Sequence, residues 1–345
     1  MKEGFLGHLF PSVNQKTCIG CGLCERSCPV LHPLPLRSIQ AAYASWSKDL
    51  EEYRTSASGG IATELSKNTL RKGGVVYGCA MLPDVVVRHI RVEREEDLVK
   101  LKSSKYVQSS ISEIIPSLKQ DVAEGKHVLF IGTPCQVAAV KSLYKVLPEK
   151  LLLVDLICHG VPSLKLLKVI VQKAIHGKKC TNVSFREGSR FSLRVWNDNE
   201  LLYEMSKEAS NYQGIYLDAF LKGFTYRDSC YQCPYATSER VGDITIGDFW
   251  GLGKEESAEE IPEHPHGCSV VLPITERGVK VLDEIRSFVE CYPRMIQEAV
   301  DGNDQLRGPV RMNKRIRVYR NLQRWFLLPD LYRWIHLDKL LSRKR

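Results

Sequence analysis

The sequence predicts an α/β fold, with α+β elements in its C-terminal half. From Ser58 onward, short apolar runs alternate with helical segments, as they do in α/β proteins. Two of these runs, Val128–Ile131 and Leu151–Ile157, are typical of strands buried on both faces of a parallel sheet. A helical segment joins them, so we expect a right-handed β-α-β crossover between neighbouring parallel strands.

Three units follow one another along the chain. Residues 1–36 are rich in Cys, Gly and Pro, residues 37–300 form a body with a mixed or parallel sheet, and residues 301–345 form a basic helical tail. Within the body, residues 37–57 are interpreted as a connector with strand character near Ala41–Trp46. The predicted helices are Ile61–Leu70, Ile111–Glu124, Val137–Tyr144, Leu164–Ile175, Tyr216–Gly223 and Glu276–Phe288. The other predicted strands are Val75–Ala80, Val183–Arg186, Leu193–Trp196, Leu201–Met205, Asp243–Ile246 and Val270–Leu272.

Composition excludes several classes of protein. The chain has no stretch of about 18 uncharged apolar residues, so no transmembrane helix is predicted. Its first residues lack the apolar core of a secretion signal. Twelve cysteines without such a signal favour a cytoplasmic location, where thiols bind metals rather than form disulfides.

The positive net charge is confined to the tail. Residues from Arg311 onward include eleven Lys or Arg and two Asp, whereas the remainder has 38 of each sign. We therefore expect no nucleic-acid binding by the body. Two interpretations of the tail stay open: a solvated helix that covers the body with its aromatic face, which is favoured, or contact with an anionic membrane surface.

The first unit carries a ferredoxin-type motif. Cys18, Cys21, Cys24 and Cys28 are spaced C-x2-C-x2-C-x3-C and are followed by Pro29, as in the ligands of a bacterial 4Fe–4S cluster. Glycines between the cysteines allow the chain to curl around such a cluster. A zinc knuckle is the alternative, but zinc sites usually combine one pair of cysteines with a distant second pair.

A second set of cysteines lies in the body. Cys135 and Cys158 each follow a predicted parallel strand, so both are expected at the carboxyl edge of the sheet, where α/β folds bind ligands. Cys230 and Cys233 have the C-x2-C spacing of a metal chelate. Four thiols suffice for one 4Fe–4S cluster, which is favoured, or for one zinc ion. Alternatively, Cys135 and Cys158 are buried core residues. The remaining thiols, Cys79, Cys180, Cys268 and Cys291, are interpreted as core or incidental.

Two segments suggest a phosphate or flavin site. Ser58-Gly59-Gly60 precedes a helix, where free backbone N–H groups favour an anion, although an ordinary helix cap has the same pattern. The segment Ser103–Tyr106 offers hydroxyls, a cation and an aromatic ring, as a solvated loop also would. Neither a Walker A loop nor a G-x-G-x-x-G motif is present, so NTPases and dinucleotide-fold dehydrogenases lose support.

An ordered set of motifs then points to one family. The motifs are Ser56-Ala57-Ser58-Gly59-Gly60, Ser104-Lys105-Tyr106, Gly132-Thr133-Pro134-Cys135-Gln136, Cys158-His159-Gly160, and Cys230-x2-Cys233 followed by the stretch 242–250. Over about residues 10–290 the chain resembles the beta subunit of coenzyme F420-reducing hydrogenase and dehydrogenases. Members of that family are iron–sulfur flavoproteins that pass electrons between clusters and FAD. Archaeal members pass them onward to a deazaflavin as hydride, and other relatives reduce bilin-like or chlorophyll-type pigments.

The resemblance implies roles for individual residues. Cys135, Cys158, Cys230 and Cys233 would hold a second cluster, and Ser58, Gly59, Gly60, Lys105 and Tyr106 would line the FAD site. Asp248 lies in a motif that ends near the same region. A ferredoxin or another redox protein would be the partner, with a small molecule as electron acceptor. A non-catalytic electron-relay subunit and a zinc-stabilised binding protein remain the alternatives.

The chain departs from the family in its first unit. Relatives with a ferredoxin unit usually have two four-cysteine runs, whereas one is present here. The segment Glu3–Asn14 resembles the linker between the two runs, so we expect that an upstream run is missing or was lost in evolution. Since the fourth cysteine of each run ligates the other cluster in two-cluster ferredoxins, Cys28 would then serve a partner cluster.

Overall fold

The computed structural model describes residues 1–187, 190–206, 215–255 and 257–325. The predicted tail beyond residue 325 lies outside the described residues. Within the described part, no helix combines the length and the apolar character that a membrane span requires. All twelve cysteines are free thiols.

Strands and helices alternate through most of the chain, which confirms the α/β class. The strands are β1 (Lys2–Glu3), β2 (Leu9–Phe10), β3 (Ala42–Ser47), β4 (Val75–Leu82), β5 (Val86–Val92), β6 (Val128–Gly132), β7 (Leu151–Leu156), β8 (Asn182–Glu187), β9 (Arg190–Asn197), β10 (Glu200–Ser206), β11 (Ile244–Asp248), β12 (Ser269–Pro273) and β13 (Val289–Arg294). The α-helices are α1 (Leu23–Arg26), α2 (Leu50–Thr55), α3 (Ile61–Arg71), α4 (Ile115–Ala123), α5 (Pro134–Lys141), α6 (Leu164–Ala174), α7 (Ile215–Leu221), α8 (Glu276–Glu284), α9 (Ile296–Gly302) and α10 (Lys314–Trp325). Single 3-10 turns lie at Pro83–Val85, Glu95–Leu101, Asp228–Gln232, Arg286–Phe288 and Asp304–Leu306.

The body is built on a mixed sheet of eight strands in the order β13-β3-β12-β11-β7-β6-β4-β5. Its centre is parallel, with β4 beside β6, β6 beside β7, and β7 beside β11. Val128 pairs with Leu151, so the predicted parallel neighbours are confirmed. Strands β8, β9 and β10 form a separate antiparallel sheet.

Several boundaries differ from the sequence prediction. The segment interpreted as a connector contributes β3, which lies inside the large sheet between β13 and β12. Strands β5 and β13 were not predicted; they are the two edges of the sheet. The predicted helix Glu276–Phe288 ends at Glu284, because the chain turns through a 3-10 segment and the Phe288 carbonyl accepts from the Lys48 N–H at 2.9 Å.

Helix α5 begins earlier than predicted, and the reason is local. Pro134 suits the first helical position, where a backbone N–H would have no partner. The Gln136 side chain accepts a hydrogen bond from the Thr133 N–H at 3.0 Å and so caps the helix. The early start places Cys135 in the first helical turn.

A buried ion pair joins the centre of the sheet to the loop before β11. Asp155 on β7 is fully buried and Arg240 is 2% exposed, and Arg240 Nη2 lies 2.5 Å from Asp155 Oδ1. Asp155 also accepts from Thr245 Oγ1 and from the Gly242 N–H, both at 2.8 Å. Arg240 Nη1 donates to the Tyr235 carbonyl at 2.9 Å. Every charge is therefore compensated within one network.

We expect Asp155→Asn to lower the free energy of unfolding by about 3 kcal/mol, because the Arg240 charge stays buried without its counter-ion. Urea unfolding followed by circular dichroism measures this. Asp198→Asn, at an exposed turn, is the matched control and should leave the free energy unchanged. Equal stability of the two variants would contradict the assigned role of the pair.

A second carboxylate ties α4 to β4 and to the edge strand β5. Asp121 accepts from Tyr77 Oη at 2.5 Å, Arg91 Nε at 2.7 Å and Lys126 Nζ at 2.8 Å. Burial alone would raise the pKa of Asp121, but the hydrogen bonds from Arg91, Lys126 and Tyr77 outweigh it and hold the pKa well below its usual value.

This shift predicts an acid-dependent loss of stability. Because the folded-state pKa of Asp121 is lowered, its contribution is fully present above the unfolded value of about 3.9 and disappears as the pH falls through the folded value. The difference in unfolding free energy between the wild type and Asp121→Asn should be constant from neutral pH down to about 4 and shrink at lower pH. Urea titrations across that range decide; a difference that stays constant in acid would refute the prediction.

Candidate functional site

The ferredoxin-type run lies against the body through its last residues. Cys18, Cys21 and Cys24 are exposed, and Cys28 is partly buried. Ser142 Oγ, just after α5, donates to the Ser27 carbonyl at 2.7 Å. Glycines 20 and 22 have positive φ angles of 68° and 67°, the curling conformation expected of this loop.

The four body cysteines lie on segments that meet at the carboxyl ends of the parallel strands. Cys135 lies in the first turn of α5, after β6, and Cys158 lies two residues beyond β7. Cys230 lies within the 3-10 turn Asp228–Gln232, and Cys233 follows it directly. The Cys135 thiol is exposed, so its sulfur is accessible to a ligand.

Electrostatic coupling and backbone donors mark these thiols as one group. Burial raises the pKa of Cys158, Cys230 and Cys233, in the case of Cys230 to about 12. Charges on the other thiols raise them further, and Cys135 contributes to all three. Backbone N–H groups hydrogen-bond to the sulfurs and favour the thiolate form, from Gly160 to Cys158 and from Val161 to Cys230. In the thiolate form, the three partly buried sulfurs and the exposed Cys135 sulfur would repel one another unless positive charge joined them.

The donor set fits an iron–sulfur cluster. It consists of four sulfurs, and N–H groups that hydrogen-bond to cluster sulfurs are one of the means by which proteins set cluster potentials. Across residues 1–187, 190–206, 215–255 and 257–325, no three His, Cys, Asp or Glu side chains are grouped closely enough to hold a metal ion as they stand. The two sets of cysteines also approach each other, because both Cys28 and Cys233 act electrostatically on Tyr235.

The strand pair at the N-terminus supports the Cys230 turn. The Val161 carbonyl accepts from the Arg227 N–H and from His8 Nε2, both at 3.0 Å. The Arg227 guanidinium lies 4.5 Å from the centre of the Phe10 ring. Burial lowers the pKa of His8 to about 4, so the imidazole is neutral at physiological pH. The segment Glu3–Asn14 thus contributes part of the wall behind Cys230.

Helix α10 supports the same turn from another side. Ile316 is fully buried, and the Tyr319 ring stacks on Phe224 at 5.1 Å. Arg320 is 6% exposed; it donates to the Tyr226 carbonyl at 2.5 Å, forms an ion pair with Asp228 and lies 5.2 Å from the Tyr231 ring centre. The first part of the expected tail therefore packs on the body, in the manner of the covering helix that the sequence favoured.

The segment Ser58–Gly60 before α3 contains two glycines that the local backbone requires and a serine hydroxyl without a hydrogen-bond partner. Gly60 has φ +82° and starts the helix, while a Cβ on Gly59 would lie 2.2 Å from the Ser45 carbonyl oxygen. The Gly59 N–H donates to Ser269 Oγ at 3.0 Å. The Ser58 and Ser103 hydroxyls are buried without a hydrogen-bond partner, so two polar groups of the expected flavin segments are available to a ligand.

Lys105 is a partly buried cation. Its ammonium donates to the carbonyls of Leu101 at 2.7 Å and Lys102 at 2.6 Å, and burial lowers its pKa to about 8. The Cys79 thiol acts electrostatically on it in the opposite direction. Carbonyl oxygens do not neutralise an ammonium, so an anion bound nearby would be stabilised.

Tyr106 and Asp248 meet through a residue that sequence reasoning missed. Arg186 Nη1, on β8, lies 2.6 Å from Asp248 Oδ2 at the end of β11. Burial acts to lower the pKa of Arg186, but Tyr106 and Asp248 outweigh it and raise that pKa. The Tyr106 ring stacks on Phe220 at 4.7 Å, and burial raises the pKa of its hydroxyl. Arg186 belongs to none of the motifs, and its partner lies 62 residues away, so the sequence held no signal for it.

The six expected flavin residues thus lie at one edge of the sheet. Asp248 pairs with Ser269 across β11 and β12, and Ser269 accepts from Gly59, so Asp248 and the glycine segment are one strand apart. Lys102 Nζ donates to Thr55 Oγ1 at 2.6 Å, which joins the segments before Ser58 and before Lys105.

We expect Arg320→Gln to loosen the turn that carries Cys230, because the variant loses the ion pair with Asp228 and the charged hydrogen bond to Tyr226. Faster amide hydrogen exchange across residues 226–233, by about tenfold, is the measure, since an opening made easier by about 1.4 kcal/mol has that effect. Arg317→Gln, on the exposed face of α10, is the control. Unchanged exchange in the Arg320 variant would contradict this role.

Two stretches of the sequence match known protein families. Residues 125–292, which contain all four body cysteines, match the sequence model for the C terminus of the beta subunit of coenzyme F420 hydrogenase/dehydrogenase. Residues 11–31 match a 4Fe–4S binding domain. No curated protein sequence gave a significant match.

The fold is similar to that of a chain in the F420-reducing [NiFe] hydrogenase complex from Methanosarcina barkeri. The two chains are 21% identical and superpose with a TM-score of 0.52 over 79% of this chain and 91% of the other. At this identity the match shows the fold alone. The sequence matches therefore relate residues 125–292 to the C terminus of the coenzyme F420 hydrogenase/dehydrogenase beta subunit and residues 11–31 to a 4Fe–4S binding domain, and together they support an iron–sulfur protein of the oxidoreductase class.

Proposed function

We propose that this protein is an iron–sulfur flavoprotein oxidoreductase. Electrons from a ferredoxin-type donor pass through the N-terminal cluster and a second cluster in the body to FAD, and then to a small organic acceptor such as a deazaflavin. The observation that carries the proposal is the grouping of four thiols at the sheet edge where the expected flavin residues also lie. The family match, which covers all four body thiols, supports the assignment to the oxidoreductases.

The packing of the N-terminal unit against the body supports the order of the relay. Cys28 and Cys233 both act on Tyr235, and Ser142 holds the chain beside Cys28 against the end of α5. Helix α5 in turn begins with Cys135 in its first turn. A short covalent and packed path thus joins the N-terminal unit to the body thiols, as electron transfer between two clusters requires.

The residues at the sheet edge suit a flavin. FAD, when bound, would supply the conversion between single electrons and hydride, since clusters exchange one electron at a time. The orphaned Ser58 and Ser103 hydroxyls and the N-terminus of α3 would bind its polar groups. The Lys105 ammonium would offset negative charge on the bound group, and Arg186 would hold the Asp248 carboxylate in position.

A second candidate is an electron-relay subunit of a larger oxidoreductase. The similar solved chain comes from a multi-subunit hydrogenase complex, which favours it. The two candidates differ in the flavin. Anaerobically purified protein with the brown absorbance of clusters but no flavin, and no flavin taken up from added FAD, would favour the relay subunit.

Replacing one body cysteine tests the proposed second cluster. We expect Cys158→Ser to lose about half of the bound iron and acid-labile sulfide, because one of two 4Fe–4S clusters is lost. Cys180→Ser, at a buried thiol away from the group, is the matched control and should keep the wild-type content. Iron, sulfide and flavin are counted per chain. Full iron content in the Cys158 variant would contradict the body cluster, and zinc in place of iron would support the zinc-stabilised alternative.

A further inference from the structure

The segment that begins at Arg311 carries an unbalanced positive charge. From Arg311 to Trp325 it has six Lys or Arg residues and no Asp or Glu. Two of them, Lys314 and Arg315, stand in the first turn of α10, where the positive end of the helix dipole disfavours cations. Repulsion between like charges along one helix adds to this cost. Helix stability therefore does not explain the charge pattern, and a partner outside the helix would.

The charges divide between two faces. Arg320 points into the body, as described above, whereas Arg311, Lys314 and Arg317 are exposed. In the part of the chain that the structure describes, no carboxylate forms an ion pair with any of these three. We call Arg311, Lys314 and Arg317 the basic surface.

The basic surface adjoins the turn that carries Cys230. Arg311 and Arg317 line a surface hollow of about 500 Å³ whose other wall includes Ser229, Tyr231 and Gln232. The one carboxylate at the hollow, Asp228, is already paired with Arg320. The hollow thus combines a net positive charge with immediate contact to the chain segment between two of the grouped thiols.

We propose that the basic surface docks an acidic one-electron carrier protein of the ferredoxin or flavodoxin type. The inference rests on the proposed function, since a carrier has a reason to bind there only if the thiols hold a cluster. Opposite charge steers a carrier to this place, and cations at the rim of an interface act mainly on the association rate and its salt dependence. Proximity to Cys230 then gives the carrier a second point of electron entry, directly at the proposed body cluster, besides the route through the N-terminal cluster.

Charge reversal of the surface tests the proposal. The variant combines Arg311→Glu, Lys314→Glu and Arg317→Glu. The matched control combines Lys119→Glu, Lys173→Glu and Lys179→Glu, which are equally exposed but lie on α4, on α6 and in the loop after α6. The probe is a purified acidic 2[4Fe–4S] ferredoxin. We expect at least about a tenfold lower association rate constant for the surface variant at low ionic strength, a weaker salt dependence, and no change for the control.

Two further measurements separate docking from redox chemistry. Calorimetry with the oxidised ferredoxin measures binding without electron transfer. The result of this measurement therefore does not depend on whether the chain reduces a flavin. Reduced methyl viologen is a small cation that needs no docking surface. It should therefore reduce both variants at the rate at which it reduces the wild type. A failure of the proposed function would appear as an absence of flavin reduction by viologen in the wild type.

Three results would overturn the docking proposal. The first is equal ferredoxin binding by the surface variant and the control. The second is that the surface variant is reduced more slowly by viologen and by ferredoxin to the same extent, which would show that the charges act on the cluster itself. The third is binding of the wild type to phosphatidylglycerol vesicles but not to ferredoxin, which would assign the basic surface to a membrane.

Discussion

Asp155 and Arg240 form a fully buried ion pair on which the geometry of the site depends. Asp155, on β7, lies three residues before Cys158, while Arg240 binds the carbonyl of Tyr235, two residues after Cys233. The pair thus fixes two thiols from distant parts of the chain against one strand. An isolated antiparallel β-bridge between Arg240 and Arg37 also holds the first residues of the body beside this ion pair. Buried pairs often contribute little net stability, but they do specify position, and position is what a cluster needs.

The remaining supports converge on the Cys230 turn from three directions. The N-terminal strand pair reaches it through His8 and Val161, and α10 reaches it through Arg320. Cys135 and Cys158 lie just beyond the carboxyl ends of the parallel strands β6 and β7. Expected flavin residues occupy the same sheet edge, where the Arg186–Asp248 pair joins the small antiparallel sheet to the large one. A one-electron and a two-electron cofactor would therefore share one edge of one sheet, which is the arrangement that electron transfer followed by hydride transfer requires.

Much of this could be read from the sequence, and the failures have physical causes. Two apolar segments in the sequence are followed closely by Cys135 and Cys158. Because the carboxyl ends of neighbouring parallel strands lie at one edge of a sheet, the sequence could predict that these two cysteines lie on the same side of the body. The edge strands β5 and β13 mix polar and apolar residues without a regular period, so they gave neither an apolar run nor a clean alternation. Arg186 and Arg320 were missed because each acts on a partner far along the chain. The amphipathic character of α10 was visible, but the surface it covers depends on tertiary packing.

The central claim is that one chain joins single-electron carriers to a flavin. An anaerobic titration of the purified chain with dithionite, followed by visible absorbance and electron paramagnetic resonance, tests it most directly. The account predicts uptake of about four electron equivalents, one for each cluster and two for FAD, with bleaching of both cluster and flavin bands. Uptake of a single equivalent, with one cluster signal and no flavin band, would contradict it.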